Sequence, residues 1–116
     1  MPDFAEQHCV PCEGGTLPLS LDDARGILEY VKGWALDAEG KKISREFVFQ
    51  DFKEAMLFVN QVAQIAEGEG HHPDMFIWWN KVKLELSTHA ISGLSTNDFI
   101  LAAKVNKVVP PEEPSM

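Results

Sequence analysis

The chain has 116 residues, 45% of them hydrophobic, and a formal net charge of −8 at pH 7. That length suits a single domain, residues 1–116, burying roughly two thirds of its unfolded surface. No apolar run approaches the ~20 residues that span a membrane, and the acidic balance argues against nucleic acid as principal partner, because phosphate binding needs a basic surface.

Residues 1–19 hold Pro2, Pro11, Gly14, Gly15 and Pro18 and are expected to form an irregular arm. The opening MPDFAEQHCVPCEGG is acidic and lacks the basic and apolar regions of a secretory signal, so the cytosol is the expected compartment. Its CVPC carries the chain's two cysteines, Cys9 and Cys12. A structural zinc site would need a second ligand pair, and a redox pair would normally sit at a strand-to-helix junction. This pair precedes a Gly-rich arm and is expected to stand outside the main chemistry.

Ser20 is an N-cap candidate with Asp23 in the capping-box position. Leu21, Ala24, Ile27, Leu28 and Val31 then share a helical face, and Gly33 is expected to stop that helix. WALDAEGKKISREFVFQ predicts a hairpin, with Trp34 and Leu36 outbound, AEGKK turning, and Ile43, Arg45, Phe47 and Phe49 returning. Asp51, with Glu54 three residues on, starts a second helix whose stripe is Phe52, Ala55, Met56, Val59, Val62, Ala63 and Ala66. GEGHHPD ends it.

Residues 75–81 predict a strand that is apolar on both faces: Met75, Ile77 and Trp79 against Phe76 and Trp78. VKLELSTH alternates, Val82, Leu84 and Leu86 on one side and Lys83, Glu85 and Ser87 on the other. Ser95 and Asp98 cap a last helix carrying Phe99, Ile100, Ala102, Ala103 and Val105, and residues 109–116 are expected as a flexible, solvated tail. The expected fold is α+β, in the order α-β-β-α-β-β-α: a four-stranded antiparallel sheet with three helices packed on one face.

Two of the four histidines, His71 and His72, stand side by side before Pro73, which pushes His72 into an extended conformation. His89 ends VKLELSTH, in the register of the side facing away from the core. A single histidine of this kind is ordinarily structural or merely exposed. A hairpin over 75–89, however, returns His89 to the end where His71 and His72 enter, and three convergent imidazoles are harder to explain by packing. Three histidines can bind zinc with an open position, yet adjacent residues seldom ligate one ion comfortably. Acid–base work suits the pair better, since neighbouring imidazoles with an ordinary pKa of ~6.5 disfavour double protonation, leaving one to donate while another accepts. Glu67 is placed to orient or charge-stabilise an imidazole; it is otherwise an ordinary polar residue at a helix end.

Glu67, HHP at 71–73, the aromatic Trp79, His89 and Asp98 follow one another at a spacing that resembles the signature of the pterin-4a-carbinolamine dehydratases. NKVKLELSTHAISGLSTNDFILAAK resembles that family nearly throughout, and CVPCEGGTLPLS resembles the amino-terminal arm of many bacterial members. The resemblance implies loss of water from a 4a-hydroxytetrahydropterin, giving the quinonoid dihydropterin in tetrahydropterin recycling. An acid protonates the leaving hydroxyl and a base takes the proton from N5. By this resemblance His71, His72 and His89 carry the acid–base and positioning roles. Asp98 supports the site or the pterin, besides its capping place. Trp78 or Trp79 walls the heterocycle, with core packing the expected task for at least one of them.

The pterin is then substrate, with no cofactor and no metal. A homo-oligomer, dimer or tetramer, and a functional link to an aromatic amino acid hydroxylase are implied. Gly70 stands where relatives often carry a polar residue, and Asn97 where some carry a basic one. A binding or assembly module on the same fold, such as the coactivator role of animal members, is the rival reading; loss of a histidine would favour it, and all three are present.

Overall fold

A computed structural model describes residues 3–10 and 17–109. Cys12, the Gly14–Gly15 part of the arm and the tail beyond Val109 lie outside the described residues. The elements are α1 (Leu21–Leu28), β1 (Ala35–Leu36), β2 (Ile43–Val48), α2 (Phe52–Glu69), β3 (Asp74–Trp78), β4 (Lys81–Leu86) and α3 (Thr96–Val108), with 3-10 turns at Phe4–Glu6 and His89–Ile91. This is the expected order, and the strands form an antiparallel sheet in the order β1-β2-β4-β3.

The three predicted caps hold. The side chain of Ser20 accepts from Asp23 N, that of Asp51 from Glu54 N, and Ser95 and Asp98 form a full capping box. Each satisfies backbone N–H groups that a helix start leaves without partners. The alternation in the central strands sorts residues by face. Ile43, Phe47, Val82, Leu84 and Leu86 are buried, whereas Ser44, Glu46, Lys81, Lys83 and Glu85 are not. The buried face meets Ala55, Phe58 and Val62 of α2 and Phe99, Leu101, Ala102 and Val105 of α3 in one cluster, which also takes in Phe4 from the arm. One helical layer on one sheet face results.

Several boundaries differ from expectation. α1 ends at Leu28, short of Gly33, because Tyr30 N and Val31 N bond to the carbonyls of Ile27 and Leu28 in tight three-residue turns. β1 is only two residues long, since Asp37 Oδ1 accepts from Lys41 N and Lys42 N and draws its neighbourhood into the turn. Trp34 is not a strand residue; it is buried, its Nε1 donating to Asn106 Oδ1 at 2.9 Å.

β3 ends at Trp78, and Trp79, at φ +24°, makes the turn into β4. Being an edge strand, β3 leaves Phe76 and Ile77 about two-fifths exposed, Trp78 52% and Trp79 65%. Neither tryptophan packs in the core, contrary to expectation. β4 stops at Leu86, so His89 does not end a strand. Thr88 N donates to Gly93 O at 2.7 Å while Thr88 O accepts from Ile91 N, and this closed turn starts a 3-10 turn at His89.

Candidate functional site

The last turn of α2 prepares the entry to the site. Gly70 takes a left-handed conformation (φ +67°) and ends the helix, Gly70 N and His71 N both bonding to Ala66 O. This glycine cap reverses the chain so that His71 and His72 leave the helix at once and run into β3. A side chain at position 70 would meet open space, so the requirement there is conformational rather than steric.

His71, His72 and His89 line one open cleft of about 370 Å³, together with Val10, Gly70, Ser87, Thr88, Ala90 and Asn97. The expected convergence of the three histidines is therefore present, although His89 arrives on a turn. Their surroundings differ. His71 is 12% exposed, and its Nε2 lies 2.6 Å from Oδ1 of the fully buried Asp98. Oδ2 of Asp98 accepts from Thr88 Oγ1 at 2.8 Å and from Ser95 N at 3.0 Å. Since the Thr88 hydroxyl has one hydrogen and gives it to Asp98, Ser95 Oγ is the donor in the 2.8 Å Ser95–Thr88 contact. A chain of bonds thus runs from Ser95 through Thr88 to Asp98 and meets His71.

His72 is more than half exposed, and its Nε2 lies 2.7 Å from Oε2 of Glu67, itself exposed in the last turn of α2. Such a pair steers an imidazole but adds little stability, ~0–1 kcal/mol. Both histidines turn Nε2 to a carboxylate oxygen, which only accepts. The ring hydrogen of each therefore sits on Nε2, and Nδ1 is the atom left for proton exchange. His89 is exposed; its carbonyl accepts from Ser92 N, and its ring makes no hydrogen bond to a described residue.

Asp98 does not line the cleft; it acts from beneath, through His71. Trp78 and Trp79 do not line it either. They occupy the opposite end of the β3–β4 hairpin, and six residues of strand beyond His72 span roughly 20 Å. In this chain they wall nothing in the cleft.

Three contributors escaped sequence reasoning. Thr88 links the capping box to the site. Glu69, two residues after Glu67, holds the arm: Oε1 accepts from Cys9 N at 2.8 Å, and Oε2 lies 2.9 Å from His8 Nδ1 and 3.5 Å from Lys104 Nζ. The Cys9 N–H above all, opposed by burial and aided by His8 and Lys104, draws the carboxyl of Glu69 below its ordinary value. The third is Val10, brought to the cleft by Asn97. The alternating pattern that exposes strands and helices says nothing of such long-range ties. Burial, with the carboxylates of Glu69 and Asp98 nearby, pushes the Cys9 thiol up to about 12, and a thiol so protonated is a poor nucleophile or ligand near neutrality. Among the described residues no three His, Cys, Asp or Glu side chains are placed to share a metal ion, and no helix is long and apolar enough to cross a membrane.

Residues 17–108 match the family model described as pterin 4 alpha carbinolamine dehydratase. A relative from Alkaliphilus metalliredigens (strain QYMF) is 48% identical over 108 residues, covering 92% of this chain and 96% of its own, and its name assigns it provisionally to the pterin-4-alpha-carbinolamine dehydratases. One from Nitrosomonas eutropha (strain DSM 101675 / C91 / Nm57), provisionally named likewise, is 45% identical over 92% of this chain and 94% of its own. Among solved structures, a transcriptional coactivator/pterin dehydratase from Brucella melitensis is similar at a TM-score of 0.74 and 33% identity, over 78% of this chain and 96% of that one. A pterin dehydratase-like protein described as a RuBisCO assembly factor in the alpha-carboxysome shares the fold at a TM-score of 0.56 and 18% identity, over 65% of this chain and 87% of its own.

Proposed function

The chain belongs to the pterin 4 alpha carbinolamine dehydratase family, and from that premise we propose that it removes water from a 4a-hydroxytetrahydropterin by histidine acid–base catalysis. In this reaction the C4a–O bond breaks, the leaving hydroxyl takes a proton and departs as water, and N5 gives up its proton as the N5=C4a double bond forms. One acid and one base suffice. The observation that carries the reading is the cleft itself, where His71 and His72 share a wall with His89 and each has a carboxylate behind its Nε2. Nδ1 of His71 and Nδ1 of His72 are the atoms that exchange protons, and His89 positions the pterin or serves as the acid. The buried Asp98 fixes the ring of His71 and stabilises it when charged, as a carboxylate behind a catalytic imidazole does. The quinonoid product is one that a reductase recycles, and a pterin-dependent aromatic amino acid hydroxylase would supply the substrate.

The reaction needs no metal in this proposal. Stripped with a strong chelator and shown metal-free by elemental analysis, the protein is expected to turn over a freshly generated 4a-carbinolamine at its full rate. Loss of turnover that zinc restores would overturn it.

The working form is a homo-oligomer, dimer or tetramer. β3 leaves one sheet edge open beside the exposed Phe76, Ile77 and Trp78, and a second copy paired along that edge would cover both backbone and side chains. Light scattering at micromolar concentration is expected to give a multiple of the 13.0 kDa chain mass; a monomer would contradict it.

A further inference from the structure

One wall of the cleft comes from the amino-terminal arm. Val10 belongs to the arm, is 64% exposed, and lines the cleft beside the histidines. What holds it there is the side chain of Asn97, whose Oδ1 accepts from Val10 N at 3.0 Å and whose Nδ2 donates to Val10 O at 2.6 Å. One amide thus meets both backbone groups of one residue, as a neighbouring strand residue would. Only a carboxamide offers a donor and an acceptor side by side. Lysine or arginine would leave Val10 N without an acceptor, and aspartate would leave Val10 O without a donor. Asn97 is itself fixed: it is 4% exposed, its own N–H bonds to Ser95 Oγ at 3.2 Å, and its carbonyl lies 3.6 Å from Cys9 Sγ.

Asn97 and Asp98 are consecutive in the first turn of α3. One holds the arm and the other holds His71, so a single helical turn sets the separation between the arm wall and an imidazole. Among the described residues that line this cleft, Val10 and Ala90 are the only apolar ones apart from Gly70. A flat heterocycle needs apolar contact on its face as well as polar partners at its edge.

We propose that Asn97 is a positioning residue that docks the arm as a wall of the substrate cleft, and that the Val10 side chain packs on the bound pterin. This rests on the dehydratase reading above. No proton moves at Val10, so loosening the wall weakens substrate binding and leaves the chemical step alone. The whole effect falls on KM.

The test uses the 116-residue chain with Asn97→Ala and, because Val10 is exposed and stands outside the core cluster, Val10→Ser. For each, kcat and KM are measured on generated 4a-carbinolamine. Affinity is measured for 7,8-dihydrobiopterin, a reduced pterin lacking the 4a-hydroxyl, with the Val10 amide resonance followed during titration. Asn97→Ala is expected to raise KM and Kd about tenfold and Val10→Ser about threefold, with kcat within about twofold of the parent, and the Val10 resonance is expected to shift in the parent. A parent that binds and turns over pterin, with KM and Kd unchanged in Val10→Ser, would overturn the arm proposal and leave the dehydratase reading standing. A change confined to kcat would do the same. A parent that neither binds nor turns over pterin would remove the dehydratase reading, and the arm's substrate role with it.

Discussion

The β3–β4 hairpin has two ends with opposite character. At its open end His71 and His72 enter beside His89, and the first of these imidazoles is clamped to a buried carboxylate. At its closed end two tryptophans stand more than half exposed. By composition the closed end would attract attention first, since tryptophan is the residue most often found against flat ligands. The hydrogen bonds point the other way. A side chain matters for proton transfer when its ring is fixed and its tautomer is set, and only the open end provides this. The closed end lies beside the open edge of the sheet, apolar and exposed, and in the oligomer proposed above it is the surface that a second copy covers.

The largest expected effect falls on the carboxylate beneath the open end. Asp98→Asn keeps shape and cap, but its Nδ2 would donate to His71 Nε2, moving the ring hydrogen to Nδ1 where the proton must be exchanged. Turnover is expected to fall on the order of 10²-fold, as far as loss of His71 itself would take it, with little change in melting temperature. Asp98→Ala also leaves Thr88, Ser95 N and His71 without their partner, and unfolding by denaturant is expected to show a loss of about 2–4 kcal/mol. Glu67→Gln, at the exposed pair, is expected to lower turnover only a few-fold. Equal losses at Asp98 and Glu67 would erase the difference drawn between the two histidines.

The closed end is tested by Trp78→Ser with Trp79→Asn, asparagine being suited to the positive φ at position 79. Here kcat is expected to stay within about twofold, because nothing at this end touches the cleft, while light scattering shifts toward a smaller species. A collapse of kcat in a protein of unchanged mass would return the tryptophans to the substrate.

A smaller effect is expected at the arm. The carboxyl of Glu69 titrates below its ordinary value of 4.5, chiefly because Cys9 N donates to it. A lowered carboxyl stabilises the fold above the unfolded-state value and loses that contribution as pH falls through the folded-state one. Parent and Glu69→Gln are therefore expected to differ in melting temperature at pH 7 and to converge in strong acid. A difference that grows on acidification would contradict the assignment.

Much of this was legible in the sequence because it is local. Ser20, Asp51 and Ser95 announce three helices through chemistry contained within four residues, and the alternation of VKLELSTH fixes which face of β4 is buried. The meeting of His71, His72 and His89 followed from hairpin geometry, and Asp98 was visible as a cap. Its second oxygen, turned to His71 across 27 residues, was not. The expectations that failed are those where a turn or an edge overrides alternation. Alternation carries β4 on to His89, but Thr88 and Gly93 close it early, and apolar residues at 78 and 79 suggest wall or core where β3 is an edge. The ties from Glu69 to Cys9 and from Asn97 to Val10 span 60 and 87 residues and leave no periodic trace.

The most direct test is a kinetic cycle on the two adjacent imidazoles, with a melting curve for every variant. Turnover of generated 4a-carbinolamine is measured for the parent, His71→Ala, His72→Ala and the double variant. Each single change is expected to lower kcat ~10²-fold, the double change far less than the product of the two, since groups acting as a unit are non-additive, and all four proteins to remain folded. Single variants as active as the parent, or inactive only because they have unfolded, would contradict acid–base catalysis by this pair.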